Sequence, residues 1–307
     1  MEKGMKAARY IILIISLAVN LNAIRAQYVI KPNNIWNNSY YINPAAINDD
    51  YQAAFSMTAR KQWIGFPGAP STYYATGTTY LSKINTQFGV KFFSDNIGYS
   101  SLTNVSLSYA YDISLNREWQ LDMGLSPSYQ SLSYDRNQVS TMSADDPTLY
   151  QNLLQEDNFN CDLGFELKNK YWRFGASSQN LLSLFLKENK VLNNANYLYL
   201  VYRKKEDQVV NLQYSVDAIQ YGNIFQMEFC VTSYFRFYDE SDLFNLGLFY
   251  RTKSEMGVLL GYKLSESLNL GYSYDFNVSG ISQNTIGSHE LVISYNFNKI
   301  QYKPYRY

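Results

Sequence analysis

The sequence predicts an all-β fold, a transmembrane antiparallel β-barrel with about 14 strands. Apolar and polar residues alternate in one segment after another, and this period of two is typical of strands with one apolar and one polar face. The 30 Tyr and 17 Phe among the 307 residues also favour strands, because aromatic side chains fit a pleated surface. After the export signal there is no second long apolar run, so if the mature chain spans a membrane, it does so with strands.

The N-terminus has the layout of a secretory signal peptide. Lys3, Lys6 and Arg9 precede a short apolar run at 10–19, and Ala26 is the small residue before the expected cleavage. A membrane anchor is the alternative, but the run is shorter than the roughly 20 residues that a spanning helix needs. The sequence therefore predicts three regions: a signal peptide at 1–26, an N-terminal segment at 27–50 that leads into the barrel, and an outer-membrane barrel at 51–307.

Three segments alternate strictly, and weaker copies bring the number of predicted strands to about 14. In 103–113, Val105 and Leu107 lie on one face, whereas Asn104 and Ser106 lie on the other. Turn-rich stretches such as SDNIG, SLNRE and KLSES separate the strands. In chain order the predicted strands are 55–63, 72–81, 88–92, 103–113, 119–125, 159–168, 172–176, 198–202, 210–216, 225–237, 244–250, 256–264, 268–276 and 291–297.

A soluble sandwich or propeller is the alternative architecture, with the apolar faces inside and the polar faces in water. Three features favour the barrel. The longer strands reach about the 9–11 residues of a tilted crossing, and their polar faces suit a hydrogen-bonded lumen. Aromatic residues near strand ends also resemble interfacial girdles. The best helical candidate, 181–192, is expected in a loop or a short plug element. The residues at the expected girdles are Trp63, Trp119, Trp172, Tyr109 and Tyr111.

Composition argues against several classes of function. The 26 basic and 26 acidic residues balance, which argues against a nucleic-acid binder. His289 is the single His, no G-x-S-x-G motif accompanies it, and with Glu290 it is expected to form a polar pair that opens the last strand. Cys161 and Cys230 lack zinc-site spacing and form either a disulfide or two unpaired thiols. We predict no catalytic residue, no cofactor and no metal site.

The stretch RKQWIGFPGAPST at 60–72 predicts a tight corner, because Gly permits unusual backbone angles and Pro restricts φ. Arg60 and Gln62 share one strand face and would point into the lumen if Trp63 points outward. Two interpretations stay open. The corner could dock a partner, or it could be structural, with Trp63 and Phe66 packed and Arg60 paired with carboxylates of the lumen.

This stretch is similar to the signature of the PorP/SprF family of type IX secretion system outer-membrane proteins, R-x-Q-W-x-G-x-x-G-A-P-x-T. The glycine that the family carries soon after its N-P-A segment is absent here, where Ile47, Asn48 and Asp49 follow. The residues that match the signature are Arg60, Gln62, Trp63, Gly65, Gly68, Ala69, Pro70 and Thr72. Further matches are Asn43, Pro44 and Ala45 to N-P-A, Asp95 and Gly98 to D-x-x-G, 108–111 to S-Y-A-Y, 271–275 to G-Y-S-Y-D, and Gly287, Ser288, His289 and Glu290 to G-S-H-E.

The resemblance implies a non-enzymatic outer-membrane component of the type IX secretion and gliding apparatus of Bacteroidota. It implies contacts with outer-membrane lipid, with periplasmic ring and motor proteins, and in some cases with a secreted adhesin as cargo. A porin-like diffusion channel is the alternative function. An outer-membrane enzyme such as a lipase is the third.

Overall fold

The computed structural model describes residues 31–135, 155–186, 191–204, 208–236, 242–252, 255–278 and 285–300. The predicted signal peptide at 1–26 lies outside these residues. In the part of the chain that is described, no helix has both the length and the apolar character to cross a membrane. The helical structure in these residues includes two short 3-10 helices, Ser39–Tyr41 and Leu181–Leu184.

The described residues form fourteen antiparallel strands that close into a barrel. Each strand pairs with the next along the chain, and β1 pairs with β14, so that Tyr51 lies opposite Lys299 and Lys61 opposite His289. Each predicted strand overlaps one observed strand in the same order, which confirms the predicted fold. The strands are β1 Tyr51–Lys61, β2 Ser71–Leu81, β3 Thr86–Ile97, β4 Ser100–Ser114, β5 Gln120–Tyr134, β6 Glu156–Lys168, β7 Trp172–Gln179, β8 Ala195–Arg203, β9 Val210–Tyr221, β10 Ile224–Arg236, β11 Asp242–Arg251, β12 Glu255–Lys263, β13 Leu268–Asn277 and β14 Ser288–Lys299.

The apolar faces of the strands point outward, as in a membrane barrel. On β4, Leu107 is 63% exposed and Tyr109 is 48% exposed, whereas Ser106 is fully buried and Ser108 and Asp112 are also buried. A soluble sandwich would show the opposite arrangement. Closure of the sheet satisfies the backbone hydrogen bonds that lipid cannot.

The two ends of the barrel differ in the length of their connections. One end, which we call the turn end, has short connections, and it also holds the start of β1 and the end of β14. We call the opposite end the loop end. In bacterial outer-membrane barrels the short turns face the periplasm, and we expect the same orientation for the turn end. The turn-end connections are 82–85, 115–119, 169–171, 204–209, 237–241 and 264–267, and the loop-end connections are 62–70, 98–99, 135–155, 180–194, 222–223, 252–254 and 278–287.

Residues 31–50, which we call the plug, lie inside the barrel. Almost all of them are buried, although the sequence indicated only a segment that leads into the barrel. Lys31 lies in the half of the lumen near the loop end, beside Asp217 and Glu228. The chain then runs down to Asp50, whose carbonyl accepts a hydrogen bond from the Ile300 N–H at 2.8 Å at the turn end.

Two further expectations concerned the cysteines and the helical candidate at 181–192. Both cysteines are free, because Cys161 lies on the outward face of β6 and Cys230 is buried on the lumen side of β10. The helical candidate at 181–192 contains the 3-10 helix Leu181–Leu184 in the connection after β7. Its residues 187–190 lie outside the described part of the chain.

Candidate functional site

Buried charged side chains hold the plug against the wall near the loop end, and we call them the charge cluster. Lys31 lies on the plug, and its Nζ is 2.7 Å from Asp217 Oδ2 on β9 and 3.2 Å from Glu228 Oε2 on β10. Buried charges need such partners, because an unpaired charge is costly away from water. The cluster consists of Lys31, Arg60, Asp217, Glu228, Arg251, Glu255, Asp275 and Glu290, each less than a tenth exposed.

Arg60 lies among the carboxylates of the cluster. Its Nη2 is 3.1 Å from Asp275 Oδ2 and its Nη1 is 3.4 Å from Glu290 Oε2. This geometry is what the structural interpretation of the corner expected. Gln62 is 3% exposed, so both residues are buried, as their spacing by two in an extended chain predicts.

Glu290 fixes the backbone of the plug. Its carboxylate accepts hydrogen bonds from the Asn33 N–H at 2.8 Å and from the Asn34 N–H at 2.9 Å, and also from Asn34 Nδ2 at 3.0 Å. Hydrogen bonds to an ionised carboxylate are the stronger kind. Glu290 therefore connects β14 both to the plug and to Arg60.

Arg251 is the second bridge between wall and plug. It donates to Glu228 Oε2 from Nη2 at 2.6 Å and from Nε at 2.9 Å, and its Nη2 also donates to Asn33 Oδ1 at 3.0 Å. It also pairs with Glu255. Sequence reasoning missed Arg251 and the plug lysine. Two features of the sequence could have identified them: Arg251 is a charged residue on the polar face of a strand, and Lys31 is a basic residue next to an Asn-rich segment.

Asn43 and Pro44 lie deeper in the lumen. Asn43 is fully buried, and its Nδ2 donates to the Phe165 carbonyl at 3.0 Å and to the Tyr199 hydroxyl at 3.1 Å. Its Oδ1 accepts from the Ala45 N–H at 2.9 Å, so the side chain both shapes the plug and joins it to β6 and β8. A Cβ at Gly164 would overlap Asn43 Oδ1 and lie 3.0 Å from Pro44 Cδ, which explains a glycine in the middle of β6.

The connection at 62–70, which we call the β1–β2 corner, is a closed turn. The Gln62 N–H donates to the Pro70 carbonyl at 3.0 Å, and the Ala69 N–H donates to the Phe66 carbonyl at 3.2 Å. Gly68 has φ +73°, in the region that favours glycine, and a Cβ there would lie 3.3 Å from Gly98 Cα. Gly65 at φ +95° completes the fold of the corner.

Hydrogen bonds join the β1–β2 corner to the connections on either side. The Gly98 N–H donates to the Gly68 carbonyl at 3.0 Å, which links the corner to the β3–β4 turn. Ile64 exchanges hydrogen bonds of 2.9 Å with Gly287 and Ile286, which links it to the β13–β14 connection. The corner thus brings together three sequence motifs that lie far apart in the chain.

Two further motif residues support the corner. Thr72 Oγ1 donates to Asp95 Oδ1 at 2.5 Å on the lumen side, and the Trp63 N–H donates to Ser288 Oγ at 3.4 Å.

The predicted strand at 55–63 extended two residues too far at its C-terminal end, because β1 ends at Lys61 and Trp63 has φ +48°. Phe66 is 47% exposed, so the packing of Phe66 that the structural interpretation included is not observed.

His289 and Glu290 lie at the start of β14, as expected, but their side chains point to opposite faces. Neighbouring residues of a strand point to opposite faces, so Glu290 lies in the lumen and His289 faces outward. His289 Nδ1 is 2.6 Å from the Tyr272 hydroxyl, and its ring centroid is 5.0 Å from that of Tyr274. Glu290 belongs to the charge cluster, whereas His289 belongs to the outer surface of the barrel.

Comparison with known proteins gives a family and a fold. The family model described as Type IX secretion system membrane protein PorP/SprF matches residues 24–295. Among solved structures, the toluene transporter TbuX of Ralstonia pickettii has a TM-score of 0.52 at 10% identity, over 85% of this chain and 93% of that chain. The TodX deltaS2S3 mutant monoaromatic hydrocarbon channel has a TM-score of 0.50 at 8% identity, over 85% of this chain and 94% of that chain. No curated protein matches the sequence.

Proposed function

We propose that this chain, which belongs to the type IX secretion system membrane protein PorP/SprF family, acts as a non-enzymatic scaffold of that system. The family and the closed barrel make it an outer-membrane component of the secretion machinery. The observation that carries the scaffold role is the plug, which occupies the lumen and bonds to the wall from Lys31 to Asp50. A filled barrel suits a fixed platform better than a pore.

The ends of the barrel offer different surfaces to partners. At the turn end, a cavity of about 1340 Å³ between plug and wall is lined by charged side chains that include Asp49, Arg117, Arg173 and Lys263. Such a surface suits periplasmic ring or motor proteins. At the loop end, the β1–β2 corner is held by its hydrogen bonds and could meet an exported adhesin.

A porin-like channel is the alternative function, and the presence of the plug in the lumen argues against it. Near the middle of the lumen, Ser177 Oγ donates to the Ile42 carbonyl at 2.6 Å and Tyr40 OH is 2.6 Å from Ser108 Oγ. These contacts reach β7 and β4, which are three strands apart in the barrel. The sequence identity to the two hydrocarbon transporters is below 25%, so this similarity shows a shared fold and does not indicate a shared function.

The test is a clean deletion strain, compared with wild type and with a complemented strain. We expect a defined set of large exported proteins to disappear from the medium and from the cell surface, and to return on complementation. Quantitative mass spectrometry of both fractions would name the cargo. An unchanged set of secreted proteins together with altered uptake of small solutes would reject the scaffold and favour the channel.

A further inference from the structure

His289 has no part in the contacts that hold the plug, and its surroundings on the outer surface indicate a binding site. The register pairs His289 with Lys61 on β1 and with Tyr274 on β13. These three residues therefore form one row around the outside of the barrel near the loop end. Directly opposed residues of antiparallel strands have Cβ atoms only about 5 Å apart, so the side chains of Lys61 and His289 start from neighbouring positions on this surface. The Lys61 ammonium is bonded on the β2 side and the His289 ring on the β13 side.

Lys61 is held in place by two hydrogen bonds, and one N–H donor of its ammonium group remains for a ligand. Its Nζ donates to the Ala69 carbonyl at 2.9 Å and to Ser71 Oγ at 2.7 Å, and an ammonium group has three N–H donors. Among the described residues, no carboxylate lies within ion-pair distance of Lys61. The β1–β2 corner thus orients a lysine whose charge has no anionic partner in this part of the chain.

His289 is oriented in the same manner. Its Nδ1 is bonded to the Tyr272 hydroxyl, which leaves Nε2 for a ligand. The neighbouring connections at 62–70 and 278–287 contain no acidic residue, and Glu290, which follows His289, is buried on the lumen face. The Lys61 ammonium and an Nε2–H donor of His289 on the same surface suit an anion with several oxygen atoms.

The position of the pair relative to the apolar surface indicates the source of that anion. Further from the loop end on the same outward faces, Leu291 lies opposite Ala59, and Ile293 lies opposite Met57 on the next outward rung. In this strip, Leu291 is 50% exposed, Ile293 45% and Met57 53%. Those side chains suit acyl chains, whereas Tyr272 and Tyr274 beside His289 have the character of an interfacial aromatic belt. Lys61 and His289 lie on the loop-end side of this strip, where lipid headgroups lie.

We propose that Lys61 and His289 form a binding site for the phosphate group of a lipid headgroup, at the loop-end interface of the membrane. Tyr272 positions the His ring, and Ala69 and Ser71 position the Lys ammonium. The site would fix a phosphorylated lipid against β1 and β14, beside the β1–β2 corner. It does not depend on the secretion role proposed above.

The test uses the purified full-length protein in neutral detergent and native mass spectrometry with phosphatidic acid as the probe. Wild type should retain phosphatidic acid in preference to diacylglycerol, which lacks the phosphate. Lys61→Gln should weaken retention about fivefold, as expected for one basic residue near a lipid surface. Lys61→Gln combined with His289→Gln should abolish the preference, and Lys61→Arg should keep it.

The matched control is Lys83→Gln, which removes an exposed lysine from the β2–β3 turn at the other end of the barrel and should leave retention unchanged. Equal retention by wild type and the double variant would overturn the proposal. So would displacement of the lipid by inorganic phosphate at an equal concentration, since that would indicate a site for free phosphate. Lys61→Arg and His289→Asn keep the test decisive if a Gln variant does not fold.

Discussion

Glu290 shows how one side chain can serve two parts of the molecule. It accepts hydrogen bonds from two consecutive backbone N–H groups of the plug and also lies beside Arg60. The residue before it in the chain faces the opposite side of the wall and contacts Tyr272. The G-S-H-E motif is therefore two sites on two faces of β14, which the alternation of a strand makes unavoidable.

At Lys31, we expect a loss of stability on substitution. Lys31→Ala would leave Asp217 and Glu228 without their shared cation in a buried place, and breaking a buried pair in this way costs about 3–5 kcal/mol. The free energy of unfolding, measured by urea titration in detergent micelles, should fall accordingly. Lys83→Ala, at an exposed position of the β2–β3 turn, is the control, and equal losses for both variants would contradict the role of Lys31.

Gly164 provides a second test of the plug contacts. Gly164→Ala would place a methyl group against Asn43 and Pro44, and crowding of this kind costs about 1–3 kcal/mol. We expect a lower urea midpoint and easier proteolysis of the plug. Gly77→Ala is the matched control, because a Cβ there meets only Val90 Cγ1 at an ordinary 3.4 Å. A stability of Gly164→Ala equal to that of the control would show that the plug can move aside.

The plug is an irregular element, and its composition explains how it can be buried. Its backbone makes few regular hydrogen bonds, so side chains and the wall must satisfy the rest. Six asparagines at 33, 34, 37, 38, 43 and 48 suit this need, because an amide both donates and accepts. Trp36, Tyr41 and Ile42 add apolar contacts with wall residues such as Phe93 and Ile219.

Removal of the plug should convert the barrel into a pore. Deletion of 31–46 would take away the contacts to Ser108, Ser177 and Glu290 and leave polar lumen faces to fill with water. In planar bilayers we expect little steady current from the intact protein and a stable conductance from the deletion variant. The Arg117→Gln variant, with an intact plug, should behave like wild type. A large current from the intact protein would instead support the channel.

How far the sequence determined the structure differs between the wall and the plug. The strands of the wall follow from alternation, which is a local signal that each segment carries by itself. The position of the plug is not local, because it depends on Lys31 meeting two acidic residues on β9 and β10. The inward direction of Arg60 could be predicted from its spacing, but its partners Asp275 and Glu290 could not, since strand neighbours across the closure are distant in sequence.

At the scale of the whole molecule, closure and asymmetry decide which side meets which partner. The barrel closes through β1 and β14, so the start of β1 and the end of β14 both lie at the turn end. The scaffold proposal requires this end to face the periplasm and the β1–β2 corner to face the outside. The assignment rests on the difference in connection length between the two ends, and labelling of single cysteines can test it directly.

In a background in which Cys161 and Cys230 are replaced by Ala, Asn223→Cys places a thiol in the exposed β9–β10 turn at the loop end, and Glu266→Cys places one in the exposed β12–β13 turn at the turn end. We expect a membrane-impermeant maleimide to label Asn223→Cys on intact cells and to label Glu266→Cys only after the outer membrane is permeabilised. The two thiols differ in the end of the barrel that carries them, so equal labelling in lysed cells controls for reactivity. The reverse pattern would place the turn-end cavity on the cell surface, and periplasmic partners would then have to meet the loop end.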